Sequence, residues 1–91
     1  MKLETIQATL ELERTLLASL QEKITSPLLK QHCQSALNYL NDCECLCFGG
    51  GTSADCVEQA TMFLQAAIDQ RRSVEDYVSK WGYDAEGTPQ T

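Results

Sequence analysis

Apolar residues return at every third or fourth position along most of this chain, and only Thr25-Ser26-Pro27 and Gly49-Gly50-Gly51 interrupt the pattern. A repeat of that period places its members on one face of an α-helix, whereas a strand requires alternation. Three helices and no strands follow.

The first helix is expected over about Leu3 to Ile24, with apolar residues at 3, 6, 10, 17, 20 and 24. Leu12 and Leu16 lie to one side of that stripe and widen it to nearly half the circumference, a face broad enough to touch two neighbours. Glu13 stands at its centre, where the repeat calls for a leucine.

Ser26 suits an N-cap, and Pro27 suits the first helical position, where its missing N–H costs nothing. The second helix then runs from Pro27 to Phe48 with Leu29, Cys33, Ala36, Leu37, Leu40, Cys43 and Cys47 inward, until the glycines end it. The short connection makes the first two helices an antiparallel hairpin.

Thr52 followed by Asp55 resembles a capping box for a third helix from Ala54. Its inner stripe is Val57, Ala60, Leu64, Ala67 and Ile68. Ser73 with Asp76 could cap a separate fourth helix, but Val74, Val78 and Trp81 keep the phase, which favours one long helix, at most kinked near Ser73, ending before Gly82. Trp81 is expected to close the base of the core. The fold class is therefore all-α: an antiparallel three-helix bundle, one domain over residues 1–82, with a flexible tail over 83–91. The broad face of the first helix adds the expectation of a symmetric homodimer through helix faces.

The chain has 91 residues, 43% hydrophobic and 22% charged, a balance that excludes disorder and allows one small core. No apolar run reaches the roughly 18 to 20 residues of a membrane span, and carboxylates enter from Glu4 onward, so neither a transmembrane segment nor a secretory signal is expected. A cytoplasmic location follows. There the five cysteines read as reduced thiols rather than as a disulfide framework.

The net charge is −6, and no Lys or Arg occurs between Gln31 and Gln70. Such a surface repels phosphates, which excludes direct nucleic-acid binding. Asp42, Glu44, Asp55 and Glu58 fall inside that stretch and are the candidate contacts for a protein partner with a basic surface. Tyr77 and Tyr83, amid Glu75, Asp76 and Asp84, are the candidate aromatic contacts.

Four of the five cysteines flank the triple glycine in D-C-E-C-L-C-F-G-G-G-T-S-A-D-C. Cys43, Cys47 and Cys56 form a candidate site for zinc or another thiophilic metal. The spacing argues against it, because C-x-C-x-C on a helix splays successive thiols, whereas zinc sites favour two to four intervening residues. Cys56, near a helix N-terminus, is the best candidate for a reactive thiol. His32 is the only histidine and lies at the far end of a helix about 30 Å long, so no Cys–His nucleophile is expected. The glycines lack the Lys-Ser or Lys-Thr of a phosphate loop.

Glu13 needs a partner if it is buried, and Arg71 projects onto the inner stripe of the third helix. The two are the candidate buried polar pair that sets helix register. The leading expectation is a small, acidic, non-enzymatic interaction protein without a cofactor, acting as adaptor, regulator or inhibitor of another macromolecule. The alternative is a metal-binding or redox-sensing regulator using the corner of Cys43, Cys47 and Cys56.

Overall fold

A computed structural model describes residues 3–48 and 54–84. Three helices pack against one another as a bundle: α1 (Leu3–Lys23), α2 (Pro27–Phe48) and α3 (Ala54–Trp81). Their bounds follow local chemistry. Pro27 opens α2, and the Lys30 N–H donates to the Ser26 carbonyl at 3.0 Å. Gly82, with a φ of 87°, ends α3 in the left-handed region, and its N–H closes on the Val78 carbonyl at 2.8 Å. Thr52, the first residue of the expected capping box, and the triple glycine lie outside the described residues.

Pairs along the bundle fix the directions. Tyr39 faces Phe63, and His32 faces Gln70, so seven residues back along α2 match seven residues forward along α3. These two helices are antiparallel. Glu13 meets Arg71 and Thr25 meets Tyr83, twelve residues further on in both segments, so α1 and α3 run parallel. The molecule measures 42 × 22 × 17 Å.

The core is built from the expected stripes: Ile6, Leu10, Leu17, Leu20 and Ile24 from α1; Leu29, Cys33, Ala36, Leu40 and Cys43 from α2; Ala60, Leu64, Ala67, Val74 and Val78 from α3. Small side chains predominate where α2 meets α3. They let these two backbones approach most extensively, while α1 packs across both.

Two local expectations need correction. Trp81 is 69% exposed and does not close the base of the core. The Ser26 hydroxyl is buried but makes no hydrogen bond, so Ser26 occupies the cap position without capping. The favoured single long helix is found, α3 running through Ser73, whose Oγ donates to the Asp69 carbonyl at 3.0 Å, with no separate fourth helix among the described residues.

Candidate functional site

The end of the bundle where α2 finishes and α3 begins gathers the acidic side chains. Asp42 on α2 and Asp55 and Glu58 on α3 are exposed, and antiparallel packing brings the three to one end. Glu44 is less free. Arg14 reaches across from α1, its Nη2 donating to Asn41 Oδ1 at 3.0 Å and to Glu44 Oε2. The other described cations, Lys23, Lys30, Arg71, Arg72 and Lys80, lie further toward the opposite end. Among the described residues, Asp42, Asp55 and Glu58 at this end therefore have no cation nearer than Arg14, which is held by Glu44 and Asn41. Sequence reasoning missed the Arg14–Glu44 pair, because the rotation of α1 against α2 is not encoded in either stripe.

The two tyrosines do not belong to that end. α3 has 28 residues, so Asp55 and Tyr77 stand roughly 33 Å apart at 1.5 Å per residue. Tyr77 is half-buried against the core. Tyr83 is exposed, with the Lys23 ammonium 5.8 Å from its ring centroid, and its carbonyl accepts from the Thr25 N–H at 3.3 Å. Asp84 Oδ1 accepts from the Thr25 hydroxyl at 3.4 Å. Two residues assigned by sequence to the tail thus join the turn between α1 and α2; residues 85–91 lie outside the described residues.

Glu13 and Arg71 are brought together inside the bundle. Glu13 is 3% exposed and faces α3 at the level where both apolar stripes are interrupted. The Arg71 guanidinium grips both carboxylate oxygens, with Nη2 to Oε1 at 3.0 Å and Nε to Oε2. Its Nη1 donates to Glu75 Oε1 at 2.7 Å. These bonds to Glu13, followed by that to Glu75, hold the guanidinium charged and raise its pKa against the opposing effect of burial.

The cysteines separate by environment. Cys33 and Cys43 are fully buried, Cys47 and Cys56 are half-buried, and Cys45 is exposed. Burial pushes the Cys33 thiol up to about 11. Burial and contact with Cys47 push Cys43 up to about 12, and both are neutral thiols near pH 7. Among the described residues, no three His, Cys, Asp or Glu side chains form a group able to hold a metal ion. His32 Nδ1 lies 3.2 Å from the Gln70 amide nitrogen, across the α2–α3 interface.

A groove of mixed polarity runs between α1 and α3, lined by Leu16, Leu20, Val78 and Tyr83 and by Ser19, Lys23, Glu75 and Ser79. Leu12, one turn from Leu16, is 57% exposed. No helix among the described residues is long and apolar enough to cross a membrane. Comparison with protein-family models, curated proteins and solved structures gave no match.

Proposed function

We propose that this chain is a small, non-enzymatic protein–protein interaction module that docks its acidic end onto a basic partner surface. It would act there as an adaptor, regulator or inhibitor. The observation that carries this reading is the polarised charge: Asp42, Asp55 and Glu58 are exposed together, and the nearest described cation, Arg14, is already held by Glu44 and Asn41. Such a field steers a cationic surface into contact and speeds association more than it adds affinity. The metal-binding or redox-sensing alternative at Cys43, Cys47 and Cys56 has weaker support, since Cys43 is held neutral and the described residues offer no group of three metal-ligating side chains.

We further propose that the uncovered side of α1, Leu12 and Leu16, pairs two copies of the chain. Leu12 is exposed and Leu16 half-buried, so this strip of α1 is left for a second copy to cover. The docking reading is tested by titrating the protein into a fluorescent oligolysine peptide, as a probe of basic surfaces, over a salt series. Binding that weakens steeply with ionic strength supports it; an affinity insensitive to salt contradicts it.

A further inference from the structure

At Gly82 firm bonding gives way to weak bonding. The Gly82 N–H closes α3 on the Val78 carbonyl at 2.8 Å, a hydrogen bond of ordinary length. Beyond it, Tyr83 and Asp84 turn onto the corner between α1 and α2 and hold there by three contacts. The Thr25 N–H donates to the Tyr83 carbonyl at 3.3 Å, the Thr25 hydroxyl donates to Asp84 Oδ1 at 3.4 Å, and the Lys23 ammonium lies 5.8 Å from the Tyr83 ring centroid. Both hydrogen bonds exceed the usual range of about 2.5–3.2 Å, and Lys23, Thr25, Tyr83 and Asp84 are all exposed. A segment held by exposed bonds and little buried surface opens at less cost than the core.

What the segment covers gives its opening a consequence. Tyr83 forms one wall of the groove between α1 and α3, which Leu16, Leu20 and Val78 also line. Leu20 and Val78 are each only 6% exposed, so a displaced Tyr83 lays open the edge of the core beside Lys23. Gly82 supplies the pivot. Its φ of 87° suits glycine and strains other residues, and a Cβ at that position would meet nothing within 4 Å. A substitution there therefore tests backbone strain without adding a clash.

We propose that Gly82, Tyr83 and Asp84 form a strap, pivoting at Gly82, that opens while the bundle stays folded and so gates the groove between α1 and α3. The strap lies at the end of the bundle away from Asp42, Asp55 and Glu58, and it requires neither docking at those residues nor pairing through Leu12 and Leu16.

The test is amide hydrogen exchange of the full chain, read residue by residue by NMR in water and in urea below the unfolding transition. The Thr25 amide should exchange more slowly than in an unstructured peptide, faster than that of the buried Leu64, and at a rate that urea leaves unchanged, because local opening exposes little surface. Gly82→Ala should speed exchange at Thr25 at least about 5-fold, since an L-residue is strained in left-handed backbone, and Gly82→Asn should speed it less. Tyr83→Ala removes the wall itself, and it should increase the broadening of Leu20 and Val78 methyl signals by a soluble paramagnetic agent. A Thr25 rate that rises with urea in step with Leu64 would overturn the strap, as would a Thr25 amide with no protection at all. Unchanged exchange in Gly82→Ala would overturn the pivot, and unchanged broadening in Tyr83→Ala would overturn the gate.

Discussion

Glu13 and Arg71 do not depend equally on each other. Arg71 has a second carboxylate in Glu75, whereas among the described residues the Glu13 carboxylate accepts side-chain hydrogen bonds from Arg71 alone. Arg71→Met should therefore cost about 3–5 kcal/mol by leaving a buried, uncompensated carboxylate, and Glu13→Leu should cost less. The double replacement should recover much of the loss, since apolar side chains of similar volume often match a buried ion pair. Urea unfolding of the three variants checks this order; a greater loss in Glu13→Leu would contradict it. The buried thiols make a second prediction. Cys33 and Cys43 rise from an ordinary 9.0 to about 11 and about 12, so the folded state keeps protons that the unfolded chain gives up. Their contribution is complete below pH 9.0 and declines as pH rises toward the folded values, by about 1.4 kcal/mol per unit for each thiol. Unfolding of metal-free protein on both sides of that pH should show this fall, and Cys33→Ala should flatten it. An unchanged slope would show that Cys33 ionises as freely in the fold as outside it.

At the scale of elements, the start of α2 makes an unusual prediction. Replacing a capping serine by alanine usually costs about 1 kcal/mol. The Ser26 hydroxyl is buried without a hydrogen bond, so Ser26→Ala should be neutral or stabilising. A loss near the usual capping value, read from thermal melting, would contradict this. The helices themselves were legible because their causes are local: the 3-and-4 spacing of the stripes, Pro27 at a start and Gly82 at an end. Glu13 and Arg71 could also be paired from sequence, because each interrupts a stripe at its centre. Trp81 could not be placed in the same way. It keeps the phase of α3, but Thr25 beside Tyr83 shows that α1 has ended at that level, leaving no helix among the described residues to cover the indole. The hydrogen bonds of Thr25 with Tyr83 and Asp84 were equally hidden, since they join residues 58 and 59 positions apart. Of the candidate site, the acidic residues were legible as a cation-free stretch, but their separation from Tyr77 and Tyr83 required the length of α3.

For the whole molecule, two surfaces carry the functional reading: an acidic end for a partner and an apolar side of α1 for a second copy. Leu12→Glu combined with Leu16→Glu should leave helicity intact, since Leu12 is exposed and Leu16 half-buried, and should convert dimer to monomer in sedimentation. A wild-type protein that sediments as a monomer at high concentration would contradict the self-pairing. The docking proposal depends on where the charge sits, beyond its total, and that distinction can be measured with one probe. Asp42→Asn/Asp55→Asn/Glu58→Gln removes three exposed carboxylates from the acidic end, and Glu22→Gln/Asp69→Asn/Asp76→Asn removes three exposed ones elsewhere. Both variants have the same net charge. Titration of each into the fluorescent oligolysine peptide at fixed low salt should show a much larger loss of affinity for the first, whereas equal losses would mean that net charge alone attracts the peptide and that the acidic end is not a docking site.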